Sequence, residues 1–184
     1  PGTSDEPVLV KTGLLLTEIV GYDTINQRLT IAGAHIMVWK DERLTWKKAD
    51  NGSQAFPLHL PDKLIWVPDV QPLHGLETKL APTKANFYHD GTVTWIPRFS
   101  MEIPCTQDKP EINCRLSVGS WVYAEREVNL TAFQSHVNLD TYILNHQFDI
   151  VEAPAHRSVI KYECCPEKYP IINYIIKLSI RSEA

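Results

Sequence analysis

Two adjacent cysteines, Cys164 and Cys165, constrain the folding of this chain more than any other feature. They lie in the segment Tyr162-Glu163-Cys164-Cys165-Pro166-Glu167-Lys168-Tyr169, with a tyrosine on either side of the pair. A trans peptide bond holds neighbouring Cα atoms about 3.8 Å apart, which is shorter than the usual span of a disulfide. A bond between the two sulfurs would therefore stiffen the backbone, as at the tip of a hairpin. The flanking tyrosines would then present fixed aromatic faces, which suit the binding of a cation.

The pairing of the four cysteines stays open on spacing alone. Four cysteines can pair in more than one way, and the adjacent two could also be free thiols. The other two, Cys105 and Cys114, are separated by eight residues, a comfortable loop for one bridge. The simplest partition is therefore Cys105–Cys114 together with Cys164–Cys165.

Length and composition predict a single globular domain over residues 1–184. The chain is 43% apolar and 22% charged, which is ordinary for a folded protein. Its formal net charge is −4 and it has no basic run, so no nucleic-acid partner is predicted. No apolar run approaches the roughly 18 residues of a membrane helix, so we predict no membrane span in this chain.

Two glycosylation sequons indicate the compartment. Asn51-Gly52-Ser53 and Asn129-Leu130-Thr131 both match the acceptor pattern for N-linked sugars. Each triplet is a weak signal by itself, but the even number of cysteines points the same way. We interpret the chain as secreted or extracellular, with Asn51 and Asn129 as candidate glycan sites.

The pattern of the chain is typical of β-structure. Thirteen prolines and eight glycines interrupt it at short intervals, which disfavours long helices. From Ile172 onward the apolar residues Tyr174, Ile176, Leu178 and Ile180 alternate with mostly polar ones, as in a half-buried strand. Turns are predicted at Gly21–Gln27 and His89-Asp90-Gly91, and many short strands at this spacing suggest an antiparallel sandwich. The other predicted strands are Val8–Val20, Arg28–Trp39, Thr92–Ile96, Val118–Tyr123 and Ser158–Tyr162.

No catalytic or metal-binding motif is present in the sequence. There is no Cys-x-x-Cys pair, no G-x-S-x-G elbow and no glycine-rich phosphate loop. The histidines show no ligand-like spacing on a credible helix. We therefore predict neither an enzyme, nor a metal site, nor a cofactor. The seven histidines are His35, His59, His74, His89, His136, His146 and His156.

The tryptophans carry a more specific signal than the default one of core packing. Four of the five stand in short motifs: Trp39-x-Asp41-x-x-Leu44-x-Trp46, Trp66-Val67-Pro68-Asp69 and Gly119-Ser120-Trp121. Together with the two spaced cysteines and the vicinal-cysteine segment, these motifs occur in one order along almost the whole chain. In that order and at that spacing they resemble the extracellular ligand-binding domain of Cys-loop receptors, and especially the acetylcholine-binding proteins.

The resemblance implies a fold and an assembly. The fold is an all-β, immunoglobulin-like antiparallel sandwich of about ten strands, of the nicotinic receptor ligand-binding type. Five copies form a closed ring, head to tail. The resemblance also implies both disulfides, Cys105–Cys114 and Cys164–Cys165. In this family, aromatic rings at the subunit boundary enclose a small cationic amine beneath the vicinal-cysteine hairpin.

Carried over by motif, the principal face of that site would be formed by Trp121, Tyr162, Tyr169 and the Cys164–Cys165 pair. Trp121 would be the central ring facing the ammonium, and each ring contact is worth up to about 2 kcal/mol when buried. The alternative for each aromatic is a role in the core or on a strand surface. A further principal-face position falls at Leu73.

Two positions depart from the family pattern. The family's first-loop tyrosine falls at Leu73, and the tryptophan usually supplied by the neighbouring subunit falls at Ala34. The other complementary-face positions are Thr94 and Ile96. Such a cage is roomier and less aromatic, so we expect weak binding of acetylcholine or nicotine and tolerance of bulkier cationic or amphipathic ligands. Alternatively, this subunit supplies only the principal face of a mixed ring.

The leading interpretation is a soluble, secreted homopentamer that binds small amines. The disulfide loop Thr106–Asn113 is short and mostly polar, unlike the apolar tip that rests on a channel's membrane domain. The chain also ends at Ala184, about where a channel would enter its first membrane helix. Because Val8 follows so soon after Pro1, we expect the family's N-terminal helix to be absent or trimmed. The alternatives are the extracellular domain of a ligand-gated channel subunit, and an interaction module that has lost ligand binding.

Overall fold

The computed structural model describes residues 6–47, 57–108 and 110–181. Within these residues the chain forms thirteen β-strands and one turn of 3-10 helix at Asp62–Leu64. The predicted all-β fold is confirmed, and the strands outnumber the expected ten because four of them are only three or four residues long. The strands are β1 (Val8–Asp23), β2 (Arg28–Thr45), β3 (Leu58–Pro61), β4 (Val70–Pro72), β5 (Leu76–Lys79), β6 (Lys84–Phe87), β7 (Asp90–Trp95), β8 (Arg98–Asp108), β9 (Glu111–Ser120), β10 (Val128–Ala132), β11 (Phe148–Glu152), β12 (Ala155–Lys161) and β13 (Lys168–Ile180).

The strands form two sheets that share β8. The first sheet contains β1, β2, β3, β5, β6, β7 and β10, and the second contains β4, β9, β11, β12 and β13. Neighbouring strands run antiparallel apart from β1 and β10, which are parallel. One cluster of buried apolar side chains from both sheets fills the space between them. This is the predicted sandwich.

Strand β8 passes from the first sheet to the second at a disulfide. Arg98–Pro104 pair with β2, whereas Cys105–Asp108 pair with β9. Cys105 lies directly opposite Cys114, with 4.0 Å between their Cα atoms, and both are buried. The Cys105–Cys114 pairing is therefore confirmed, and it fixes the register of the hairpin at the point where the two sheets meet.

The core follows the alternation seen in the sequence. In β13 the side chains of Tyr174, Ile176 and Leu178 are buried, while Ile180 at the end of the strand is 48% exposed. On the opposite face Asn173 is also buried. Its Oδ1 accepts a hydrogen bond from Ser117 Oγ at 2.7 Å, and its Nδ2 donates to Ser158 Oγ at 3.0 Å. A polar residue in the sheet interior is tolerated when its amide is satisfied in this way.

Several predicted element bounds are too short. The strand predicted at Val8–Val20 continues to Asp23, and the one at Arg28–Trp39 continues to Thr45. The two pair so far along their length that the turn between them covers residues 24–27 only. The strand predicted at Thr92–Ile96 lies at Asp90–Trp95. The strand predicted at Ser158–Tyr162 is shifted toward the N-terminus, to Ala155–Lys161.

The Trp39–Trp46 motif has a structural explanation. Trp39 is buried and meets Trp66 edge to face, with ring centroids 5.8 Å apart. The carboxylate of Asp41 is buried but accepts hydrogen bonds from Arg43 Nε at 2.8 Å and Nη2 at 2.7 Å. This paired guanidinium holds the pKa of Asp41 below its usual value. Gly91, at a φ of 84°, packs against the backbone of Asp41, and a side chain at this position would collide with the Asp41 carbonyl.

His35 is a titratable group inside the sandwich. Its ring is 5% exposed, and Nε2 lies 2.5 Å from Thr12 Oγ1 in a buried hydrogen bond. Burial, with a smaller contribution from Lys79, lowers the pKa of His35 to about 4. The imidazole is therefore neutral at physiological pH, and protonating it requires putting a charge into the core.

We expect His35 to make the fold acid-sensitive. Its folded pKa lies below the ordinary value of about 6.5, so the unfolded chain binds the proton first and stability falls as pH drops from about 6.5 towards 4. Between pH 7 and pH 5 the loss should be about 2 kcal/mol. Urea unfolding at both pH values tests this. The loss of unfolding free energy between the two pH values should shrink by that amount in His35→Gln. It should persist in His146→Gln, which changes an exposed histidine. Equal losses in both variants would contradict the role of His35.

Candidate functional site

One carboxylate organises the loop that carries Trp121. Asp69, from the Trp66-Val67-Pro68-Asp69 motif, accepts hydrogen bonds from Ser120 Oγ at 2.6 Å and from the backbone N–H groups of Trp121 and Val122 at 3.0 and 2.9 Å. Ser120 Oγ in turn accepts from the Tyr123 N–H at 2.8 Å. The backbone donors of this loop are thus satisfied by side chains rather than by a neighbouring strand.

This arrangement corrects a prediction. The strand expected at Val118–Tyr123 ends at Ser120, because Asp69 takes the amides that would otherwise continue the ladder. The chain turns away from the sheet at that point, and Trp121 is left 68% exposed. Of the five tryptophans it alone is exposed, which is unusual for so large an apolar side chain.

The hairpin of β12 and β13 brings the two tyrosines together. Ile160 pairs with Tyr169 and Lys161 with Lys168, so the tip covers residues 162–167. The rings of Tyr162 and Tyr169 meet at 61° with centroids 5.4 Å apart. The Cys164–Cys165 disulfide is present at the tip, as the resemblance implied. Tyr162 and the cysteine pair line a concavity of about 450 Å³ on one side of it.

Three contacts connect the hairpin to the loop after Trp121. The N–H of Glu125 donates to the carbonyl of Lys168 at 2.8 Å, and Arg126 lies 3.6 Å from the carboxylate of Glu167. Arg157 of β12 forms an ion pair with the Glu125 carboxylate. A second concavity, of about 370 Å³, lies between this loop and the hairpin. The positions of Trp121 and of the tyrosine pair are therefore linked within one chain.

Leu73 lies on the same side as the Trp121 loop. It follows β4, which pairs with the end of β9, and its N–H donates to the carbonyl of Ser117 at 2.9 Å. Its side chain is half-buried and approaches Gly119, two residues before Trp121. The fold thus brings the predicted principal-face positions into one region.

The predicted complementary-face positions lie on the other sheet. Thr94 is on β7, Ile96 follows that strand and is 37% exposed, and Ala34 is on β2. Ala34 sits between Leu15 and Arg98 on the adjacent strands and is only 4% exposed. The two predicted faces therefore lie on different sheets of one copy.

The remaining predicted sites are placed as follows. Asn51 lies outside the described residues. Asn129 is half-buried on β10, and its Oδ1 accepts a hydrogen bond from Arg157 Nη2 at 3.0 Å. In the described ranges no three His, Cys, Asp or Glu side chains form a metal-binding group. Nor does any helix there have the length and apolar character needed to cross a membrane.

Sequence reasoning missed the roles of Asp69, Glu125 and Arg157. In the sequence, Asp69 is the last residue of the Trp66-Val67-Pro68-Asp69 motif, and nothing there identifies its hydrogen-bond partners. The three residues that donate to its carboxylate lie 51 to 53 positions further along the chain, and no local pattern reveals such a pairing. Arg157 and Glu125 are likewise 32 positions apart.

Comparisons with known proteins agree with this geometry. The family model described as neurotransmitter-gated ion-channel ligand binding domain matches residues 1–181. The chain is 31% identical over 182 residues to the neuronal acetylcholine receptor subunit alpha-2 of Pan troglodytes, covering 95% of this chain and 34% of that subunit. It is 33% identical over 175 residues to subunit alpha-4 of Mustela putorius furo, covering 91% and 28%. The chain thus spans about a third of the length of the curated relatives it matches.

We expect Asp69→Asn to loosen the Trp121 loop without unfolding the sandwich. One carboxylate oxygen becomes an amide group that cannot accept, so at least one of the three hydrogen bonds is lost. Hydrogen bonds to a charged group are worth about 1.5–3 kcal/mol, so the amides of Trp121 and Val122 should exchange with deuterium at least about tenfold faster. Asp62→Asn, in the 3-10 turn, is the matched control. Unchanged amide exchange in Asp69→Asn would show that the loop keeps its conformation without the Asp69 carboxylate.

Proposed function

The chain belongs to the neurotransmitter-gated ion-channel ligand-binding domain family, and from this premise we propose that it binds small cationic amines between neighbouring copies of itself. The ligand lies in an aromatic cage beneath the vicinal-cysteine hairpin. Trp121, Tyr162 and Tyr169 form the principal face, with Leu73 at its edge and Cys164–Cys165 above. Thr94, Ile96 and the surface around Ala34 of the next copy form the complementary face.

The exposure of Trp121 is the observation that carries this proposal. A tryptophan that is 68% exposed, on a loop bonded to the hairpin of two touching tyrosines, is a poor arrangement for an isolated domain, because large apolar surface is left in water. The same rings attract an ammonium group strongly once water is excluded. One chain supplies an open half-site, and the remaining predicted positions lie on the opposite sheet. A neighbouring copy, placed head to tail, would close the half-site with that other sheet.

This site recognises its ligand without a chemical reaction. A ring face, a hydroxyl and a disulfide can hold and desolvate a cation, but they provide no nucleophile paired with a general base. Binding energy here comes from the ring quadrupoles and from the removal of water, so a quaternary or protonated amine is the fitting class of ligand.

The leading form of this function is a soluble, secreted, homopentameric binding protein. The polar character of Thr106–Asn113 supports it, because charged and amide side chains at that tip suit water. The alternative is the extracellular domain of a ligand-gated ion channel subunit. That alternative is favoured by the relatives, which are receptor subunits about three times as long as the aligned region. The full-length transcript separates the two, since apolar helices following Ala184 would establish the channel.

Binding should be visible in the fluorescence of the tryptophans. Because Trp121 is the exposed one, enclosing its ring with a cation should change emission saturably in a titration with cationic and amphipathic amines. We expect the change in a particle of about five chain masses by light scattering, and most of its amplitude should be lost in Trp121→Ala. Trp46→Phe, which alters a half-buried tryptophan, is the control and should keep the full response. A folded monomer, or a response of undiminished amplitude in Trp121→Ala, would contradict the proposed site.

The residues at Leu73 and Ala34 predict weak binding of acetylcholine by the homopentamer. Leu73→Tyr adds one aromatic face next to Gly119, two residues before Trp121, and should tighten acetylcholine binding by about five- to thirtyfold, equivalent to about 1–2 kcal/mol. Leu73→Ile, of equal volume but without a ring, should leave the affinity unchanged. Competition binding measures both. Nanomolar affinity for acetylcholine in the unmodified chain would refute the weak-binding hypothesis.

A further inference from the structure

A separate cavity lies inside the single chain, behind the Trp121 loop. It has a volume of about 300 Å³ and lies between β2, β5, the end of β7 and the segment around Asp69. Its lining combines charged and aromatic groups, unlike the apolar core nearby. Its polar and aromatic lining includes His35, Asp69, Glu77, Lys79 and Trp95.

An ammonium group of the protein already occupies an aromatic face in this cavity. Lys79 Nζ lies 5.7 Å from the centroid of the Trp95 ring, within the range of a cation–π contact. Lys79 itself is exposed, so its flexible side chain can move into solvent without disturbing the sheet. Trp95 is only 4% exposed, and its face is therefore already dry.

The other groups suit a cation that also carries an oxygen. The carboxyl of Glu77 is half-buried, and burial raises its pKa above the usual value despite the opposing effect of the nearby Lys79 ammonium. His35 is neutral at physiological pH and would not repel a cation. The indole N–H of Trp95 is buried and has no hydrogen-bond partner among the described residues. A donor left in this state favours an incoming acceptor, either an ordered water or an oxygen of a ligand.

We propose that this cavity is a second amine site, contained within one chain, in which Lys79 acts as an internal competitor. Its ligand is a small ammonium compound with a hydroxyl, ether or carbonyl oxygen. The ammonium replaces Lys79 Nζ on the Trp95 ring, Glu77 supplies the opposing charge, and the oxygen accepts from Trp95 Nε1.

The site has a direct connection to the Trp121 loop. Asp69 lines the cavity and also accepts from the N–H groups of Trp121 and Val122. A ligand that shifts the Asp69 carboxylate alters the support of the exposed tryptophan. This second site needs no neighbouring copy, so ligand binding there can be tested separately from the proposed function at the subunit boundary.

Choline is the probe for the test, since it carries both an ammonium group and a hydroxyl. Calorimetric titration is made in a Trp121→Ala background, which removes the boundary site and leaves the cavity. Adding Lys79→Gln should tighten binding at least fivefold, because the internal competitor is gone. Lys79→Arg keeps a cation and should leave the affinity near that of the background. Glu77→Gln, added to Lys79→Gln, should weaken binding at least threefold.

Each outcome decides the proposal. Choline binding that strengthens in Lys79→Gln and weakens again with Glu77→Gln supports the internal site. No binding by a folded Trp121→Ala, Lys79→Gln chain overturns it, as does an affinity that does not differ between the Gln and Arg variants. If choline binds the unmodified pentamer but not the Trp121→Ala chains, the boundary site stands and the internal one falls. Near- and far-ultraviolet circular dichroism confirms that each variant is folded.

Discussion

The register of β9 is the constraint on which the rest of the structure depends. The Cys105–Cys114 bond fixes β9 against the segment of β8 that leaves the first sheet. Cys114 in turn pairs with Ile176 of β13, and Gly119 with Ile171. A slip of one residue would turn every side chain of β9 to the opposite face. The Cys105–Cys114 bond therefore sets the face on which each side chain of β9 lies and the point at which the chain leaves the strand for Trp121. Through the β9–β13 pairing it also aligns the hairpin that carries the tyrosines.

A cation over an aromatic ring is observed at one place in the described chain and proposed at another. At the proposed site, Trp121 and Tyr162 are exposed and Tyr169 is half-buried, and water must be excluded before their attraction for a cation becomes strong. At the buried ring of Trp95 the protein supplies its own ammonium, from Lys79. Asp69 connects the two places, because its carboxylate accepts from the backbone of the Trp121 loop and the residue also lines the cavity beside Trp95. The Lys79–Trp95 contact shows that a cation over a ring is already part of the packing of this domain.

The elements that could be predicted from the sequence are those whose cause is local. Alternation in β13 reveals its buried face because burial there follows the pleat, and short ordered motifs locate both disulfides and the hairpin. The end of β9 could not be predicted, since Trp121, Val122 and Tyr123 all favour strands and the carboxylate that stops them is far away in the chain. The burial of Ala34 could not be predicted either. The alternation of β2 assigns Ala34 to the outward face of the strand, but its side chain is so small that the neighbouring residues cover it. The placement of Lys79 over Trp95 depends on tertiary packing that no spacing rule contains.

The parallel pairing of β1 with β10 has a consequence for the order of folding. Val8 pairs with Val128, so this contact closes a loop of 120 positions, whereas the β8–β9 and β12–β13 hairpins join neighbours in the chain. Loop closure costs more entropy as the separation grows, and distant pairings therefore form late. The Trp121 loop leads directly into β10, so its far end, at Glu127 and Val128, is fixed when the first strand of the chain docks there. A late-forming contact thus borders the segment that presents the exposed tryptophan, and a nascent chain would complete this loop only once the two ends of the sandwich have met.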